Sequence, residues 1–238
     1  MSLRDWLGGR RKSLREQVLE ALADERTGES AQVLARFRGR YSEALAELEQ
    51  LGGEPDLRRL WLKARLEYRA GLMEDAQQTL DRLVRHAVND AGPWHLVGRV
   101  RLWISDASAD EAFERAARLD PRRYVRPYRV SHDHFAALAE RALAGIPEQF
   151  LALLGNTMIV VDELPTLESV REGEDPDLLG VYEGATVLSH GLPERIVLYQ
   201  RNHENISADE RELRNQVVET MRHEIGHHFG MEEEELPY

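Results

Sequence analysis

The chain contains no cysteine. Disulfide frameworks, thiolate nucleophiles and every Cys-based zinc or iron–sulfur site are therefore excluded, and any metal has to be held by His and carboxylate. Glycine and proline together make up only 26 of 238 residues, which excludes collagen-like and low-complexity classes. No apolar run approaches about 18 residues, so no membrane partner is expected. The basic start, Met1 to Lys12, leads into an amphipathic segment and not into an apolar stretch with a cleavage site, so a soluble, cytoplasmic protein is expected.

What is there divides into two unlike halves. Residues 1–130 hold 24 Lys+Arg against 21 Asp+Glu, a net of +3, whereas residues 131–238 hold 7 against 22, a net of −15. The acidic half repels phosphate backbones, and nucleic acid is not expected as the main partner. Hydrophobic residues, at 42%, suffice for the cores of two domains of roughly 100–130 residues each.

The first half repeats itself. Gly39, Ala44, Leu48 and Leu51 recur 32 residues later as Gly71, Ala76, Leu80 and Leu83. A third copy, 33 residues on, gives Ala109, Phe113 and Ala116, closed by Pro121. Each unit reads as two antiparallel helices whose small residues allow close approach, with Leu60, Leu62 and Leu66 on the first helix and Gly71 at the turn. The pattern resembles the tetratricopeptide repeat over roughly residues 28–122, which implies a concave face that binds a peptide or a protein partner. Pro121 to Ser131, with two prolines and four arginines, marks the boundary, and its basicity suits docking on the acidic neighbour.

In the second half, Phe135, Leu138, Ala139, Ala142, Leu143 and Ile146 form one helical stripe, ended by Gly145 and Pro147. Thr157 to Val161 reads as a strand, and Val181 to Leu188 with Arg195 to Tyr199 as a hairpin turning at Gly191 and Pro193. A last helix is expected from a capping box, Ser207 and Glu210, to Gly230, with Leu213, Val217, Met221, Ile225 and Phe229 on its buried side. His223 and His227 fall on the opposite side.

Those two histidines belong to His223-Glu-Ile-Gly-His227. Imidazoles at i and i+4 stand one helical turn apart and reach a single ion, and Glu224 is placed to work on a water held there without being a ligand. The five-residue pattern alone arises in roughly four of a hundred shuffled sequences, and adding Gly230 and Glu233 lowers this to roughly five in ten thousand. Gly230 permits a sharp turn, after which Glu233 swings back as third ligand, with Glu232 and Glu234 as alternatives.

Leu178 to Gly184, Pro193 to Tyr199 and above all His223 to Gly230 resemble the small bacterial zincin-like domains, minimal relatives of the matrix metalloproteinases. The resemblance implies an α+β domain with a mixed sheet, a metal-site helix and a zinc peptidase site held by His223, His227 and Glu233, with Glu224 as general base. Family members usually carry Asp where this chain has Glu233. The donor set itself suits zinc, manganese or nickel.

The expected fold class is thus a tetratricopeptide-like all-α repeat, residues 1–130, followed by a zincin-like α+β metallopeptidase domain, residues 131–238. Tyr182 or Tyr199 is expected to stabilise the transition state, and an extended peptide to pair with an edge strand such as Val181 to Leu188. His190 and His203 are placed in loops, His132 and His134 at a helix start, Met231 in the core, and the acids Glu172 to Asp177 in a solvated loop without calcium-loop order. The alternative is a non-catalytic protein-interaction adaptor with a retained structural metal site.

Overall fold

The computed structural model describes residues 12–24, 31–105, 107–155, 157–184 and 194–231. It separates into two compact units: one runs through Leu119 and also takes in Leu167–Gly173, and the other comprises Asp120–Thr166 and the residues from Glu174 onward.

The first unit stacks α1 (Leu14–Asp24), α2 (Ala31–Ala35), α3 (Tyr41–Glu49), α4 (Leu57–Arg69), α5 (Met73–Val84), α6 (Ala91–Trp103) and α7 (Ala109–Leu119). The repeated positions are its core: Ala44 and Leu48, Ala76, Leu80 and Leu83, then Ala109, Phe113 and Ala116 are all buried. Gly39 and Gly71 occupy equivalent turns with φ of 72° and 71°, so the period recorded in the sequence is a repeat of backbone conformation as well. Asp56 and Asp90 cap α4 and α6 by accepting from the backbone N–H groups of Arg59 and Gly92.

The second unit begins with α8 (His132–Ala144), capped by Ser131, and α9 (Glu148–Leu154). Strand β1 (Met158–Asp162) follows, then α10 (Leu167–Glu172), β2 (Gly180–Glu183), β3 (Arg195–Tyr199), α11 (Gln200–Asn205) and α12 (Glu210–His228). Helix α10 belongs to the first unit: Val170 is buried, Leu167 packs on the cluster around Leu80 and Leu96, and Arg171 Nε donates to the Gly71 carbonyl at 3.4 Å.

The sheet has order β1-β3-β2, with β1 parallel and β2 antiparallel to β3. It is the mixed sheet expected. Ile196 and Leu198 alternate towards the face where Phe135 and Leu138 of α8 meet Leu213, Val217, Met221 and Ile225 of α12. Burying each such side chain contributes about 1.5–3 kcal/mol, and this stripe fixes the rotation of α12 about its own axis.

Beneath the apolar core lies a polar one. Glu204 of α11 is fully buried and accepts from Arg129 Nη1 and Arg201 Nη1, both at 3.0 Å, from Val130 N at 3.1 Å and from Gln200 Nε2 at 2.8 Å. The basic stretch after Pro121 is thereby tied into this unit through Arg129. Four donors offset the desolvation of the carboxylate.

Several local expectations need correction. Helix α12 is capped by Asp209, which accepts from Glu212 N at 2.9 Å, while the Ser207 hydroxyl donates to the His203 carbonyl at 2.8 Å. Phe229 and Met231 are each 37% exposed, because the helix ends there and the chain turns off the sheet. His203 is not in a loop but fully buried in α11. Gly191, Pro193, His190, the far end of the first hairpin strand and Glu232 to Glu234 lie outside the described residues. Among the described residues no helix is long and apolar enough to cross a membrane.

Candidate metal centre

The site is built on the last two turns of α12. With Met221 and Ile225 locked into the core, the helical period turns His223 and His227 outward together, and their Nε2 atoms face each other at 3.1 Å. The ring planes stand at 82° with centroids 4.7 Å apart. Two zinc–nitrogen bonds of about 2.0–2.1 Å reach nitrogens separated by up to about 4 Å, so one ion can engage both rings as they stand.

The end of the helix sets the second ring. Gly230 adopts φ 77°, a conformation that costs an L side chain energy, and closes the helix with Gly230 N to His227 O at 2.9 Å and Met231 N to Gly226 O at 3.1 Å. This turn carries the Met231 carbonyl to 3.2 Å from His227 Nδ1. A carbonyl only accepts, so Nδ1 bears the proton and the Nε2 lone pair is left for a metal.

Glu224 is only 6% exposed and, with His223, forms one end of a cleft of about 410 Å³. Thr220, Glu219 and Gln216 of α12 line the cleft on one side and Leu178 to Gly180 on the other. The strand can pass this close because residue 180 is glycine: a Cβ there would stand 2.8 Å from Thr220 Cγ2 and 2.9 Å from the Val197 carbonyl.

Tyr182 is held near the end of α12, its hydroxyl 3.1 Å from His228 Nδ1, which is itself 3.4 Å from Glu194 Oε2. Burial, followed by the charge and hydrogen bond of Glu194, pushes the phenol pKa up. Tyr199 alternates to the sheet face opposite Leu198, away from α12, and its own phenol is pushed up by burial. The structure therefore brings Tyr182 to the turn bearing His228 and does not bring Tyr199 to the His pair.

His203 is the participant that sequence reasoning left in a loop. Its Nδ1 lies 2.9 Å from the Tyr199 carbonyl and its Nε2 3.1 Å from Thr220 Oγ1, and burial pulls its pKa down to about 4. The neutral ring donates to the carbonyl and accepts from Thr220. Thr220 was legible, since it stands three residues before His223 and four before Glu224 on the same helix face. Among the described residues no three His, Asp or Glu side chains close around a common point, and Glu233 lies outside them.

The zincin-like metallopeptidase family model matches residues 154–238. A tetratricopeptide repeat model matches residues 38–100. Both resemblances read from the sequence are borne out, and the zincin-like match covers β1 to α12 together with the whole His223–His227 turn. No curated protein matches the chain. The family implies a metal, usually zinc, and the facing Nε2 atoms and the carbonyl-held His227 tautomer fit one.

Proposed function

We propose that the second unit is a zinc-dependent metallopeptidase and that the repeat unit holds its protein substrates or a partner. The observation that carries this reading is the facing Nε2 pair with Glu224 beside it at one end of a cleft. His223 and His227 would hold the ion, with Glu233 as third ligand. Zinc, when bound, supplies Lewis-acid polarisation of a carbonyl and acidification of water.

The chain's own groups do the rest. Met231 O keeps the His227 ring in its ligating tautomer. Glu224 takes a proton from the attacking water and passes it to the leaving amine, a role worth about 10²–10⁴-fold. Among the described residues strand β2 is a sheet edge, so an extended peptide can add to it and be held in register by backbone hydrogen bonds.

The test compares wild type with Glu224→Ala on an unfolded protein substrate, with metal content measured on both. Retained metal with cleavage reduced at least about 100-fold supports the reading. Equal cleavage refutes it. Metal bound by wild type without any cleavage, and chelation that weakens partner binding, would instead establish an adaptor with a structural metal.

A further inference from the structure

The cleft beside His223 and Glu224 has an uneven chemistry along its length. Its walls are apolar: Leu178 and Leu179 form one side, and the Thr220 methyl faces Gly180 from the other. That methyl is presented because the Thr220 hydroxyl is occupied by His203 Nε2 at 3.1 Å. Of the polar groups, Glu219 stands beside Thr220 one turn before His223, and Gln216 a further turn away. Glu219 is exposed and makes no hydrogen bond or ion pair among the described residues.

We propose that this cleft selects a cationic side chain, arginine or lysine, of an extended peptide, an inference that rests on the peptidase reading for its substrate class. An aliphatic stem lies against the two leucines and the Thr220 methyl while its charged end reaches the Glu219 carboxylate. A carboxylate side chain meets the Glu219 carboxylate and is rejected. The net charge of −15 on residues 131–238 draws cationic peptides to the same unit.

The experiment uses the full-length, zinc-loaded Glu224→Gln protein, which leaves peptides uncut. Labelled alanine-based peptides carrying a single arginine, norleucine or glutamate are titrated by fluorescence anisotropy at low salt. The arginine peptide should bind about fivefold more tightly than norleucine and more than about tenfold more tightly than glutamate. Adding Glu219→Lys should abolish the arginine preference and leave norleucine binding within about twofold, with an unchanged melting temperature because Glu219 is exposed. Equal affinities, an arginine preference indifferent to Glu219→Lys, or no saturable binding by any peptide would overturn the proposal. Charge-selective binding combined with no cleavage by the wild type would sink the peptidase reading and leave the cleft assignment standing.

Discussion

The two units bury polar groups very differently. In the repeat, the buried polar side chains among the described residues are Arg65, Glu67 and Thr79. In the zincin-like unit they include Gln200, Asn202, His203, Glu204, Asn205, Ser207, Thr220 and Glu224. A repeat gains its stability from each helix pair covering the next, so apolar periodicity suffices. In the zincin-like unit the buried polar groups tie separate elements together, and His203 of α11 reaches Thr220 of α12, one turn before the proposed site, at 3.1 Å.

The contrast can be broken on the repeat side first. Phe113 is fully buried, and Phe113→Ala should destabilise that unit by about 3–5 kcal/mol. Tryptophan emission is a clean reporter, because Trp61, Trp94 and Trp103 lie in the repeat and residues 131–238 contain no tryptophan. Metal content should be unchanged below the new melting temperature.

The next largest effect is expected from His203. Its folded pKa of about 4 lies below the ordinary value of 6.5, so the unfolded chain binds the proton first as pH falls. Stability of the zincin-like unit is undiminished above about pH 6.5 and drops by about 3 kcal/mol between there and pH 4. Hydrogen exchange of α12 amides across that range measures it, and a His203→Gln variant should flatten the slope.

Glu67 sharpens the comparison by running the other way. Burial pushes its pKa up to about 7 from 4.5, with Thr79 and Lys63 only partly opposing the shift. Its contribution is complete below about pH 4.5 and is lost as pH rises through 7, so at pH 8 Glu67→Gln should stabilise the repeat by roughly 1–2 kcal/mol in tryptophan-monitored denaturation. The smallest effect is expected of Tyr182→Phe, which removes the hydrogen bond to His228 and should cost about 1 kcal/mol in the zincin-like unit without changing metal content.

The repeat was readable because small and bulky residues recur at a fixed interval, and the sheet because Met158 to Val161 and Ile196 to Tyr199 are short, continuous apolar runs rich in β-branched residues. The rotation of α12 followed from Leu213, Val217, Met221 and Ile225, which is why the facing of His223 and His227 was foreseeable. Other features were not foreseeable. Asp209 caps α12 because the Ser207 hydroxyl is already engaged, bonding back to the His203 carbonyl four residues earlier, so the second of two cap-like residues takes the role. The sequence Gln200-Arg-Asn-His-Glu-Asn looks like an exposed loop, yet all its side chains except Arg201 are buried, with Arg129, Pro176 and Leu178 supplying partners from elsewhere in the chain. Tyr199 reads as a plausible donor until strand alternation turns it to the far face.

The most direct test of the account is metal stoichiometry in the full-length protein, compared between wild type and His227→Ala, with nitrogen ligation read by X-ray absorption. About one zinc per chain on two imidazole nitrogens, lost or greatly weakened in the variant, is the predicted result. Zinc bound equally well without His227, or no stoichiometric metal in the wild type, would contradict it.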